Sequence, residues 1–221
     1  MAVIHHTTLK PTKLELLTSW LPTRSWYLRG AGEPELAKAG GFRLDDPDGE
    51  VGIEFLVVTD TGSPQPAAYL VPLTYRGAPL DGADHALVGT TEHGVLGRRW
   101  VYDGCHDPVL VTQLLAHLEG RAQAQAQSTS DTPDRDVTRS YTGPRLAAND
   151  FTAAVDDHDG TELSAPHAVL RVHRQLRSAS DAAHQLPPDV TGHVAASWQL
   201  PDGTPARGLF ATLRSRVTPA E

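Results

Sequence analysis

The sequence holds a single cysteine, Cys105, so no intrachain disulfide can staple the fold and a reducing cytoplasm fits. No apolar run approaches the roughly 18–20 residues that a membrane span needs. The opening residues, MAVIHHTTLKPTK, lack the apolar stretch of a secretory signal. Lys and Arg form no cluster and the net charge is −8, which argues against a nucleic-acid partner. CxxC, HExxH and Gly-x-Ser-x-Gly patterns are all missing, as is any internal repeat, so zinc modules, zincins and nucleophile-elbow hydrolases have no local support. Aromatic residues make up only 6% of the chain. Glycine (19) and proline (17) are plentiful and favour short elements joined by turns.

The residues present spell out several such elements. Thr12-Lys13-Leu14-Glu15 is a capping-box pattern. Leu14, Leu17 and Leu21 share a helical face, Leu16 and Trp20 widen it, and Pro22 ends it. Trp26 and Tyr27 then read as anchors for the following loop. Glu50 to Val58 and Ala67 to Tyr75 alternate as strands around a turn-rich connector, which predicts a hairpin. Pro72 assigns its second strand to a sheet edge or a bulge. Arg98 to Tyr102 reads as a strand. Asp107-Pro108 opens a helix whose apolar face is Leu110, Val111, Leu114, Leu115 and Leu118, with Gly120 as C-cap. Arg121 to Arg139 is small and polar and reads as a linker or mobile loop. Beyond it, Phe151–Val155, Ala168–His173, Gly192–Leu200 and Ala206–Leu213 are expected strands, with a helix over Ser178–Leu186. Pro201-Asp202-Gly203 is a hairpin turn, since Pro fixes φ and Gly permits φ > 0.

Ser19-Trp20-Leu21 followed by Arg24-Ser25-Trp26-Tyr27 resembles the opening signature of the N-terminal cap domain of maltokinases, actinobacterial enzymes that phosphorylate maltose with ATP. Ile53–Val58, Ala68–Leu73, Val88-Gly89-Thr90, Tyr102-Asp103-Gly104 and Asp107–Leu118 are similar to later cap segments. Past the polar stretch, Asn149-Asp150-Phe151-Thr152 stands where the resemblance places a phosphate loop. Ala168–Leu176 stands where it places the strand with the nucleotide lysine, and Asp189–Gln199 resembles a further strand. The resemblance implies an α+β fold: a cystatin-like curved antiparallel sheet with packed helices over residues 1–120, a polar linker over 121–140, and a small kinase-N-lobe-like antiparallel sheet over 141–221.

Departures from that family carry the functional expectation. The nucleotide lysine position is Arg171, whose planar fork is not equivalent to an ammonium. Its acidic partner would fall near Ala183, which is uncharged. Asp150 adds repulsive charge to the phosphate loop. Residues 172–221 are too few for the lobe that carries the metal ligands and catalytic carboxylate of phosphoryl transfer. The resulting expectation is a non-catalytic, pseudokinase-like binding or regulatory module of glycogen, trehalose or maltose metabolism. It has no catalytic residues, cofactor or metal, a protein partner such as an α-glucan or trehalose enzyme, and a cytoplasmic location.

Asn149, Asp150, Thr152 and Arg171 are then vestigial nucleotide-binding residues. The alternative is half of a split sugar kinase that binds ATP–Mg²⁺ together with a separate large lobe. A third reading is an independent enzyme centred on Glu92 and His93, in the polar stretch Gly89–Gly94. Trp20, Trp26 and Tyr27, with Trp100 and Tyr102, are candidates for an interaction surface, against ordinary core packing. Arg171 and Arg174 are candidates for holding an anion, against a solvated edge. His5, His6, His85, His93 and His106, and the cluster Asp103, Cys105, His106 and Asp107, are weighed as metal ligands; surface histidines are preferred.

Overall fold

The computed structural model describes residues 9–30, 32–62, 66–129, 131–178 and 186–216. In chain order the elements are β1 (Leu9–Lys10), α1 (Lys13–Trp20), β2 (Leu36–Leu44), β3 (Gly52–Asp60), β4 (Ala67–Arg76), β5 (Leu87–His93), β6 (Gly97–Asp103) and α2 (Pro108–Leu118). There follow β7 (Gln125–Ala126), β8 (Thr138–Tyr141), β9 (Val155–Asp156), β10 (Gly160–Ser164), β11 (Ala168–His173), β12 (Gln175–Leu176), β13 (Val190–Gln199) and β14 (Pro205–Ser215). Fourteen antiparallel strands make one sheet, whose main path runs β1-β5-β6-β4-β3-β2-β13-β14-β11-β10-β9. The fold is therefore sheet-rich, with α1 and α2 as short packed helices, and no described helix is long and apolar enough to cross a membrane.

Both helices start where local chemistry dictates. Glu15 N donates to Thr12 Oγ1 (3.2 Å) and Thr12 N donates to Glu15 Oε2 (2.6 Å), so two otherwise unpaired donors satisfy each other. At α2, Asp107 accepts from Val109 N (2.9 Å), Pro108 is the first helical residue and Gly120 closes the far end. Strands β3 and β4 are buried on both faces. Ile53, Phe55, Val57 and Leu70 pack into a core that α2 shares with Leu170, Val194, Phe210 and Leu213 of the second half. Leu56, Val58, Tyr69 and Val71 face Leu17, Trp20, Leu21, Trp26 and Tyr27.

Several expectations need correction. The strand containing Pro72 is internal, paired with β3 on one side and with β6 and β12 on the other. On that outer side β12 pairs with Ala68 and Tyr69, Leu70 N donates to Arg174 O (2.9 Å), and β6 begins at Leu73. Pro72 falls between these partners, so its missing N–H faces a gap in the ladder. The expected strand Phe151–Val155 is a loop that follows the 3₁₀ turn Ala148–Asp150 and reaches strand form only at Val155–Asp156; the longer paired strand lies further on, at β10. Gly89–Gly94 is largely strand, within β5, with a bulge near Gly89. β2 lacked a readable signal because Gly40-Gly41 interrupts it. Gly41 has φ +124°, and a Cβ there would lie 2.0 Å from Phe55 O, so only glycine fits.

The polar stretch 121–140 contributes β7 to β2 and the start of β8 to β13, and buries Ala124. Backbone pairing holds it without an apolar period. The hairpin turn at Gly203 (φ +82°) joins β13 and β14. The helix expected over Ser178–Leu186 lies mostly outside the described residues.

Candidate functional site

β10 and β11 pair so that Glu162 stands opposite Arg171, and the turn Asp157–Gly160 closes the end of β10. Asp157 organises that turn by accepting from Asp159 N (3.1 Å) and Gly160 N (2.9 Å). Three carboxylates therefore converge on one guanidinium. Arg171 donates from Nη1 to Asp157 Oδ2 (2.7 Å) and Glu162 Oε1 (2.9 Å), and from Nη2 to Asp157 Oδ1 (2.9 Å) and to Asp159. Arg214 Nη2 also donates to Glu162 Oε1, at 2.9 Å. The Arg171 side chain is only 14% exposed. Hydrogen bonding to its guanidinium holds Asp157 well below the usual carboxylate range, and the same bonds raise Arg171 further. Burial pushes His173, on the same strand, down to about 4, with Arg171 adding to the effect; its Nε2 lies 3.1 Å from Thr212 Oγ1.

The expected phosphate loop lies beside the far end of β10. Asn149 and Asp150 are exposed in a 3₁₀ turn. Thr152 N donates to Ser164 O (2.7 Å), and its Oγ1 accepts from Ser164 N (3.3 Å). Ser164 is two residues, roughly 7 Å of strand, beyond Glu162. No hydrogen bond or ion pair among the described residues joins Asn149, Asp150 or Thr152 to Arg171. The four residues grouped from the sequence are not one constellation.

Arg174 is the residue that sequence reasoning undervalued. It is 0% exposed and is neither a solvated edge nor an open anion site. Nη2 donates to both oxygens of buried Asp103 (2.6 Å each), Nε donates to Thr161 Oγ1 (2.7 Å), and the guanidinium lies 4.9 Å from the centre of the Trp26 ring. Its Nη1 has no partner among the described residues. Trp26 Nε1 donates to Asp156 Oδ2 (3.1 Å), Ser25 Oγ to Asp157 O (2.8 Å) and Gln175 Nε2 to Trp26 O (2.8 Å). The Arg24–Tyr27 segment thus holds the second half of the chain. Trp20, Trp26 and Tyr27 are all buried: Trp20 meets Trp26 edge-on at 5.8 Å and Tyr27 donates to Asp60 Oδ2 (2.5 Å). They form core and junction, not an open aromatic platform.

The remaining candidates separate. Glu92 and His93 are successive strand residues and face opposite sides. Exposed Glu92 pairs with Arg98 (3.1 Å), while His93 Nδ1 accepts from Val95 N and Leu96 N. Asp157, His158 and Asp159 lie close enough to hold an ion, but the two carboxylates already bind Arg171. Asp107 is taken by Arg76 in a two-bond pair (2.6 and 2.7 Å), and Cys105 is buried with its thiol pushed far up by burial.

Two clefts remain. One, of about 360 Å³, lies where the start of α2, the 80–85 loop and the 148–154 loop meet, with His85 and His106 among its lining. The other, about 840 Å³, lies between the start of α1 and β2, and is lined by Lys10, Lys13 and Lys38, the chain's only lysines. Beside it, buried Glu54 accepts from Lys13 Nζ (2.6 and 2.7 Å), Tyr75 Oη (2.7 Å) and Gln127 Nε2 (2.8 Å). Burial raises the Glu54 carboxyl, but Lys13, Tyr75 and Lys38 together outweigh it and the net shift is downward.

Residues 20–107 match the family model of the maltokinase N-terminal cap domain. The match is to the family suggested by the Trp20–Leu21 and Arg24–Tyr27 residues. It begins within α1, takes in β2 to β6, and ends at the N-cap of α2. It covers less than half of the chain, and Arg171 and Arg174 lie beyond it. Within the matched cap segment, Trp26 and Asp103 are the side chains that meet Arg174. No curated protein matches the chain.

Proposed function

We propose that this chain is a non-catalytic binding or regulatory module related to the small lobe of maltokinases. On this reading the cap segment has the cystatin-like arrangement and residues 141–221 the kinase-small-lobe arrangement. The partner is a protein, an enzyme of α-glucan or trehalose metabolism.

The observation that carries the reading is the state of Arg171. A residue serving a nucleotide must offer donors to phosphate. Here both terminal nitrogens are already bound to Asp157, Asp159 and Glu162. An arriving phosphate would meet three carboxylates, with Arg171 and Arg214 supplying the nearby positive charge, so repulsion opposes it. The geometry makes Arg171 a fastener of the β9–β11 corner.

Calorimetric titration with ATP–Mg²⁺ tests this directly. No heat of binding is expected, and low-micromolar binding would overturn the reading. A sugar-kinase assay on material captured with the chain from its native lysate tests the split-kinase alternative. Co-purifying phosphotransfer that disappears with Arg171→Ala would establish a nucleotide role for that residue.

A further inference from the structure

His85 and His106 are separated by 21 positions, yet the fold brings them together. His85 lies in the 3₁₀ turn Asp84–Ala86, which begins after Ala83 N donates to Leu80 O (3.2 Å) and Leu80 N to Tyr102 Oη (2.9 Å). His106 ends the 3₁₀ turn Gly104–His106, where Cys105 N donates to Asp103 Oδ1 (3.1 Å) and Asp107 N to Gly104 O (3.0 Å). Both backbones are therefore fixed by bonds that do not involve the imidazoles. His85 Nε2 and His106 Nδ1 stand 3.2 Å apart, with the rings nearly perpendicular at 87°.

That separation suits a hydrogen bond, and it also suits two ligands on one ion. Nitrogens held at about 2.0–2.1 Å by a tetrahedral cation stand roughly 3.3–3.4 Å apart, and roughly 2.9 Å apart at a right angle. The pair lines the 360 Å³ cleft together with Asp81, whose carboxylate is in no ion pair among the described residues. We propose that His85 and His106 form a two-imidazole site for a borderline transition-metal cation such as zinc, with its open coordination positions facing this cleft. Binding needs both facing nitrogens bare. The one proton between the rings moves, by way of solvent, to the far nitrogen of its own imidazole, and water completes the shell. Imidazole ligands select zinc, copper or nickel over magnesium or calcium.

The test is calorimetric titration of the metal-stripped full chain with Zn²⁺ in a non-chelating buffer. One ion per chain is expected. His85→Ala, on the exposed ring, should weaken binding at least about tenfold, as should His106→Ala. Circular dichroism and a thermal melt check that each variant folds, and the exposed His85 keeps the test valid if the His106 variant does not. His158→Ala and the double variant His5→Ala/His6→Ala should bind as the parent does. Absence of zinc binding in the parent, its persistence in His85→Ala, or its loss in either control variant would overturn the proposal.

Discussion

Removing the Arg174 side chain would strand the Asp103 carboxylate, 0% exposed, without its counter-charge. Losing one partner of a buried pair costs about 3–5 kcal/mol. Arg174→Ala is expected to fall in that range by urea denaturation, and Arg174→Lys to lose less, since a charge stays while the bond to Thr161 goes. Arg171→Ala should cost clearly less, because its carboxylate partners are 32–40% exposed and solvent screens them. Both arginines were visible in the sequence as cations near one strand. Their different fates were not, because Asp103 lies 71 positions from Arg174, whereas the carboxylates of Arg171 lie within 14. Nothing local marks a long-range buried pair, and in the sequence Asp103 stands out only for its closeness to Cys105, His106 and Asp107.

Caps and close backbone approaches govern the individual elements. Thr12→Ala removes one half of the reciprocal box at α1 and should lower stability by about 1 kcal/mol. Gly41→Ala places a methyl against Phe55 O at a backbone angle that L-residues avoid, and should cost about 2–4 kcal/mol. Chemical denaturation of the two variants side by side tests the order. The elements legible in the sequence, α1, α2, β3, β4, β6, β11 and the β13–β14 hairpin, carry their signals within a dozen residues: a cap, an apolar period, a Pro-Asp-Gly turn. β2, β5, β7, β8 and β10 are not announced in this way. Glycine interrupts the first, and β7 and β8 owe their place to main-chain pairing with strands far away in sequence. In β10, Thr161 and Glu162 serve Arg174 and Arg171, so polar side chains occupy positions where an apolar pattern would have announced a strand.

At the scale of the molecule, buried histidines set the response to acid. Burial lowers His106, His117 and His173, so the folded protein keeps them neutral while the unfolded chain takes up protons below about pH 6.5. The unfolded state then binds more protons, and stability falls as pH drops, by up to about 1.4 kcal/mol per pH unit for each such group. For His173 the loss runs from about pH 6.5 down to about 4. Below that, protonation of Asp157, which the fold keeps ionised, adds to it. Urea midpoints measured from pH 7 to pH 4 should decline steadily, and a flat profile would contradict this. A core shared by both halves, together with the Arg174–Asp103 pair, also predicts one cooperative transition. Far-ultraviolet dichroism and tryptophan fluorescence should give coincident curves.

The cleft between α1 and β2 has a practical consequence. Because Lys10, Lys13 and Lys38 gather there, every side-chain amine of the protein lies on one patch of its surface. Coupling through lysine side chains to a resin, dye or cross-linker would start from that patch, so molecules attached by a lysine would share one orientation and present the opposite side to whatever flows past.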